Sequence, residues 1–200
     1  GFGELDLSTL AAILDEAARL CEDVLAPLNA GGDREGCRLE GDGVRAPPGF
    51  AAAFASYARG GWVGLSAPPE YGGQGLPYTL AAIVNEFTAS ANLGFVNYPG
   101  LTQSAITAIV ANASDELKRL YLPPLIAGRW SGAMCLTEPQ CGTDLGLVRT
   151  RATPLREGAY SITGQKIFVT GGDHDLAENI VHMALARVDG APAGARGLSL

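Results

Sequence analysis

The sequence predicts an α+β protein in which an N-terminal all-α helical bundle precedes a β domain. Two observations carry this reading. Apolar residues recur at spacings of three and four through the first 128 positions, the period of an amphipathic helix. After Gly128 the period falls to two, with Gly158, Gly164 and Gly171-Gly172 as punctuation between short runs, the pattern of strands joined by turns. The change falls at Gly128-Arg129, so domains of 1–128 and 129–200 are expected.

The helices follow in order. Leu10, Ile13, Leu14, Ala17, Leu20, Cys21 and Val24 mark one face of a first helix, which Pro27 is expected to stop. A Gly-rich, charged stretch runs from Gly31 to Arg45. Pro48 suits the first turn of a second helix, ended by Gly60-Gly61. Leu80, Ile83, Val84 and Phe87 form a third stripe with Thr79 as its expected N-cap. Leu101, Ile106, Ile109 and Val110 form a fourth. Ser114 caps a fifth, with Asp115 and Glu116 at its positive end, and Pro123-Pro124 is expected to interrupt it. Strands are expected over Ala133–Thr137, Val148–Thr153, Tyr160–Thr163, Lys166–Thr170 and Asn179–Val188. A last one, Arg196–Leu200, stops without a turn or cap, so the chain is expected to be the front of a longer protein.

Composition narrows the class. Of 200 residues, 47% are hydrophobic and 18% charged, as in ordinary globular proteins. No apolar run approaches the roughly 20 residues that span a bilayer. The acidic opening Gly1-Phe2-Gly3-Glu4-Leu5-Asp6 does not have the basic start of a signal peptide. A net charge of −7 argues against a nucleic-acid surface, though backbone N–H groups still bind phosphate without positive charge. Cys21, Cys37, Cys135 and Cys141 form no C-x-x-C pair, and only His174 and His182 accompany them. No metal site is therefore expected, and the cysteines are read as thiols of a reducing, cytoplasmic compartment.

Three stretches stand apart from this background. "WVGLSAPPEYGGQGLP" (62–77) is a Gly/Pro-dense loop without the G-x-G-x-x-G spacing of a dinucleotide-binding turn. "GAMCLTEPQCGTDLG" (132–146) ends a strand in a turn rich in amides and hydroxyls. In "ITGQKIFVTGGDHDLAENIVHMALARV" (162–188) a period of two would set Phe168 and Thr170 on one side of a strand, a flat aromatic beside a hydroxyl. Taken singly, each is also an ordinary loop, turn or sheet core.

In this order, "APPEYGGQG", "LTEPQCGTD" and "ITGQKIFVTGG" make nearly the whole chain resemble the acyl-CoA dehydrogenase family. "AMCLTEPQCGTDLG" and "GGDHDLAENIVHMALARV" look most like the branch that contains 3-methylmercaptopropionyl-CoA dehydrogenase. The resemblance implies a helical domain and an incomplete, β-barrel-like middle domain, with the family's C-terminal helical bundle absent from this chain. It implies FAD as cofactor, with Met134, Leu136 and Thr137 bordering the isoalloxazine. Gly142 and Thr143 would meet the pyrophosphate or the adjoining CoA arm. Phe168 would stand where the family commonly carries Trp, and Thr170 would reach the flavin N5 region. Asn97, Tyr98 and Leu101 would line the acyl path, with Thr143 also a substrate contact.

The implied reaction is α,β-dehydrogenation of an acyl-CoA thioester, with hydride passing to the flavin and electrons to an electron-transfer flavoprotein. The family's base is a Glu of the C-terminal domain, expected beyond Leu200, so no catalytic residue is named here. Glu86 reads as a solvated helix carboxylate and Glu138 as a turn-fixing one. A homo-oligomer, dimer or tetramer, is implied. Two other readings share the motifs: an acyl-CoA oxidase, and a non-catalytic flavin-holding relative of the kind tied to DNA repair.

Overall fold

The computed structural model describes residues 5–156 and 158–200; the acidic Gly1–Glu4 segment lies outside the described residues. The chain divides into two units. One runs to Gly132 and takes in Asp173–Val181; the other comprises Ala133–Gly172 and His182–Leu200. The helical unit therefore extends beyond position 128 and recruits a segment from far along the chain.

Helix α1 (Leu7–Leu20) starts at Asp6, whose carboxylate accepts the Thr9 amide at 2.7 Å. Pro27 does not stop it. The helix passes through a π turn, Cys21–Leu25, into α2 (Ala26–Glu35), with the Ala26 amide reaching back five residues to Cys21 O. Proline lacks an N–H and its ring collides with the carbonyl four residues back. A widened turn immediately before it takes up that collision.

Strands β1 (Arg38–Glu40) and β2 (Gly43–Arg45) form an antiparallel hairpin. Val44 N donates to Asp173 Oδ2 at 3.0 Å and Ala46 N to Asp175 Oδ1 at 2.9 Å, which is how Asp173–Val181 joins this unit. Helix α3 (Phe50–Arg59) presents Phe50, Phe54 and Tyr57 to the core. Helix α4 (Tyr78–Ala91) begins one residue before the expected Thr79 cap, with Pro77 at the cap position, where the ring's fixed φ suits a helix start.

Helix α5 (Leu93–Asn112) begins eight residues before its apolar stripe. Its cap is Asn92, buried at 1% exposure. Asn92 Oδ1 accepts the Phe95 amide at 2.9 Å and Nδ2 donates to Leu25 O at 3.2 Å. One side chain thus starts α5 and satisfies a carbonyl at the end of the π turn. Replacing it removes a cap and a buried side-chain bond to Leu25 O, so Asn92→Ala is expected to lower stability by about 1–3 kcal/mol. Urea denaturation would measure this; a loss below about 0.5 kcal/mol would show the cap to be dispensable.

Ser114 caps α6 (Asp115–Ile126) as expected, accepting the Leu117 amide at 3.3 Å. Pro123 and Pro124 lie inside α6 without breaking it. The carbonyls they would have bonded belong to Arg119 and Leu120, both exposed residues, where a carbonyl left without a helical donor can turn to water. Strand β3 (Trp130–Cys135) pairs with β6 (Asn179–Ala184). Gly132 N donates to Thr102 Oγ1 at 3.0 Å, and a Cβ at Gly132 would lie 2.6 Å from that of Ala105. Only glycine lets this backbone pack so closely on α5.

In the second unit, β4 (Arg151–Pro154), β5 (Tyr160–Thr163), β7 (Ala186–Val188) and β8 (Leu198–Ser199) form a sheet in the order β5-β4-β7-β8. The β4–β7 pair is parallel and the others antiparallel. The expected strand Lys166–Thr170 does not form. Phe168 has φ 55°, the left-handed region, and among the described residues it alone does so without being glycine. Such a residue turns the chain out of the extended path, so the period-two argument for Phe168 and Thr170 does not apply. No helix among the described residues is long and apolar enough to cross a membrane.

Candidate functional site

The expected cofactor positions all fall in the second unit, on three segments. The first leaves β3 after Cys135 and makes a tight hairpin, in which Glu138 and Cys141 exchange backbone bonds of 2.9 and 3.1 Å. The second follows Gly142, where Asp144 Oδ1 accepts the Gly146 amide at 2.9 Å and leads into a short 3-10 turn, Leu145–Leu147. The third is Lys166–Thr170. Ile167 N donates to Thr137 O at 2.9 Å and ties the first and third segments together.

These segments keep several donors unused. Among the described residues, the amides of Thr137, Gly142, Thr143 and Thr170 donate to no acceptor of the chain. None is fully buried: Met134, Leu136, Thr137 and Gly142 are half-buried, and Thr143 and Thr170 are exposed. Phe168 is 87% exposed. A left-handed conformation costs a bulky residue about 1–3 kcal/mol, and here it holds an aromatic ring out in solvent. A Cβ built on Gly142 would sit 3.7 Å from Thr137 Cγ2, filling the space between the turn and the end of the strand. Open amides, a glycine beside them and an uncovered ring fit a ligand combining an anionic linker with a flat heterocycle.

Beneath this surface lies a buried ion pair. Glu138 is 3% exposed. Lys166 Nζ donates to Glu138 Oε1 and to Leu136 O, both at 2.9 Å. Thr150 N donates to Oε1 at 2.9 Å, while Arg149 N at 2.8 Å and Gln140 Nε2 at 2.6 Å donate to Oε2. Burial alone raises the carboxyl's pKa, but the Thr150 hydroxyl beside it, the Arg149 amide, Lys166 and the Thr150 amide outweigh burial. They hold it well below the usual carboxylate range. The Thr150 hydroxyl reaches no hydrogen-bonding geometry, so the weight rests on the N–H donors. Glu138 is thus the turn-fixing carboxylate expected from its place in the sequence. Its partner Lys166, 28 positions away, carries no periodic or motif signal that links the two.

In the helical unit, a cavity of about 660 Å³ opens between the 66–78 loop, α4 and α5. Gly100, Ser104, Thr107 and Ala111 of α5 face it, spaced three and four apart on one side of the helix. Their small side chains leave the space. The loop is closed by backbone bonds of Gln74 N to Gly64 O, Gly75 N to Ala67 O and Leu76 N to Leu65 O, each 2.9–3.0 Å. A Cβ on Gly73 would come within 2.1 Å of Ala67 O, which explains a glycine there. Asn97, Tyr98 and Leu101 are not among the lining residues. Asn97 Nδ2 donates to Leu93 O, and the Tyr98 ring meets His174 edge-on at 5.1 Å.

Ser131 and His174 are buried with Oγ and Nε2 2.9 Å apart, but they are no nucleophile and base. Leu176 N donates to Nδ1 at 3.1 Å. The ring proton therefore sits on Nε2 and is given to Ser131, the reverse of what activation requires. Glu86 is exposed on α4.

Residues 8–129 match the family described as "Acyl-CoA dehydrogenase, N-terminal domain". The chain is 48% identical over 199 residues to 3-methylmercaptopropionyl-CoA dehydrogenase of Ruegeria pomeroyi, covering 100% of this chain and 34% of that protein. It is 36% identical to a butyryl-CoA dehydrogenase of Syntrophomonas wolfei, covering 96% of this chain and 32% of that one. Among solved structures, an acyl-CoA dehydrogenase from Bacillus anthracis complexed with FAD superposes with a TM-score of 0.74 at 26% identity, covering 94% of this chain and 30% of that one. The chain thus spans about a third of the length of these relatives.

Proposed function

The chain belongs to the acyl-CoA dehydrogenase family, and from that premise we propose that it supplies the FAD-binding surface of an enzyme that dehydrogenates an acyl-CoA thioester. One observation carries the reading: the amides of Thr137, Gly142, Thr143 and Thr170 have no acceptor within the described chain on segments that also hold Phe168 exposed in a left-handed conformation. Met134, Leu136 and Thr137 border the isoalloxazine, Gly142 and Thr143 take the pyrophosphate or the adjoining CoA arm, Phe168 covers the ring and Thr170 donates near N5. Each neutral hydrogen bond contributes only about 0.5–1.5 kcal/mol, so several amides acting together are what tight binding requires. FAD supplies the hydride acceptor for the substrate's β-hydrogen.

The acyl group runs past Asn97, Tyr98 and Leu101 near the start of α5. The base that removes the α-proton lies beyond Leu200. Glu138 is unsuited to that work, because both its oxygens accept hydrogen bonds and an ammonium lies beside it, and a base must be free to reach the proton it takes. Electrons pass to an electron-transfer flavoprotein, and the enzyme acts as a cytoplasmic homo-oligomer. The FAD-containing relative and the acyl-CoA dehydrogenases of high similarity support this reading.

An anaerobic titration of the complete protein with a panel of acyl-CoAs tests it. The expected result is a yellow protein whose flavin absorbance near 450 nm bleaches with at least one thioester (about one equivalent of flavin reduced per substrate oxidised). A protein that takes up no FAD overturns the reading. Bleaching followed by rapid oxygen consumption and peroxide formation would replace the dehydrogenase with an oxidase.

A further inference from the structure

Glu138 and Lys166 do more than neutralise each other. Lys166, with 12% of its side chain exposed, divides its ammonium between Glu138 Oε1 and Leu136 O. A peptide unit is planar and trans, so a carbonyl and the amide that follows it point in opposite directions. With Leu136 O turned toward Lys166, the Thr137 N–H is aimed away from it, and among the described residues nothing accepts it. One residue on, Thr137 O accepts the Ile167 amide at 2.9 Å. Two consecutive carbonyls are therefore clamped to the segment that leads into Phe168 and Thr170. Glu138 fixes the other end of the clamp by holding the Lys166 ammonium and the Arg149 and Thr150 amides at once.

A pair serving only the core would have no need of the Leu136 carbonyl, which a sheet partner or water could satisfy. Here the cation bonds the backbone of the strand end that carries open donors. We propose that Glu138 and Lys166 are positioning residues for the flavin: through Leu136 O they aim the Thr137 amide at the cofactor, and through Ile167 they hold Phe168 and Thr170 in register with it. This rests on the FAD reading above. It assigns the pair to cofactor geometry, with neither residue touching the reacting atoms.

The test uses the complete protein with Lys166→Met, Lys166→Gln and Lys166→Arg. Lys166→Met is expected to bind FAD roughly tenfold more weakly, the loss of about one well-placed charged hydrogen bond. Its flavin absorption band should shift, and the Ile167 amide of the FAD-free protein, bonded to Thr137 O, should exchange faster. Lys166→Arg keeps a cation that can reach both acceptors and should retain affinity within roughly threefold of the parent. Lys166→Met binding FAD with unchanged affinity and spectrum, whatever its melting temperature, overturns the proposal. Should Lys166→Met fail to fold, equal affinity in the Arg and Gln variants overturns it instead, because Gln can donate to Leu136 O but cannot hold Glu138 by charge. A parent protein that takes up no FAD refutes the flavin reading alone; faster Ile167 exchange in the variant would still show that the clamp exists.

Discussion

Replacing Glu138 by alanine is expected to destabilise the β unit by about 3–5 kcal/mol, the range for breaking a buried pair by removing one partner. The loss has two parts. Lys166 keeps its ammonium in a site where 12% of its side chain meets water, with Leu136 O as its remaining partner. The Arg149 and Thr150 amides also lose their acceptor, and orphaning the buried Thr150 donor costs about 1–3 kcal/mol. Combining Glu138→Leu with Lys166→Met should recover the first part and leave the second, so the double variant is expected between the single variant and the parent. Urea denaturation measures all three; a single-variant loss under about 1 kcal/mol would show the carboxylate to be replaceable. The pair also sets an acid limb. Because the folded carboxyl ionises well below its ordinary range, its stabilisation is complete above the unfolded value of about 4.3 and declines as pH falls below it toward the folded one. Glu138→Ala should flatten the acid side of the stability profile while lowering it at neutral pH.

That a carboxylate in "LTEPQCGTD" fixes a turn was legible in the sequence; that it does so with Lys166 was not. Local patterns report local structure. The stripes of α1, α4 and α5 and the Ser114 cap are set by spacings within one element, and they fold as read. Pro27 and Pro123-Pro124 misled because the penalty for proline depends on what surrounds the lost bond. At Pro27 a π turn widens the helix, and at Pro123-Pro124 the carbonyls that lose their donors belong to exposed residues. Phe168 misled in another way. "QKIFVT" has the composition of a strand, but the chain enters the left-handed region at Phe168, and propensity yields to tertiary context. Asp173–Val181 belongs with the helices through Asp173 and Asp175 bonds to the β1–β2 hairpin 129 positions earlier. No window of sequence contains both ends of such a contact.

The helical unit should prove equally sensitive at Phe95. This ring is fully buried at the first turn of α5. It meets Phe50 and Tyr57 edge-on at 5.9 and 5.8 Å and Phe54 at 6.4 Å. The three partners lie on one face of α3 and the Asn92 cap fixes the start of α5, so the site has little freedom to collapse around a smaller residue. Phe95→Ala is accordingly expected to cost about 3–5 kcal/mol, and Phe95→Leu under about 2 because most of the volume remains. A loss below about 1.5 kcal/mol for alanine would mean that α3 and α5 close the gap, a relaxation that deeper cavities resist. The same cluster gives an alkaline limb. Burial pushes the Tyr57 phenol from its ordinary value of 10.0 up to about 12. A group kept neutral by the fold stabilises it fully below its unfolded pKa, so this contribution should fade as pH rises from about 10 through about 12. Phe95→Ala loosens the wall around Tyr57 and admits water to it, so the variant should show a lower phenol pKa by ultraviolet titration and a shallower alkaline decline than the parent.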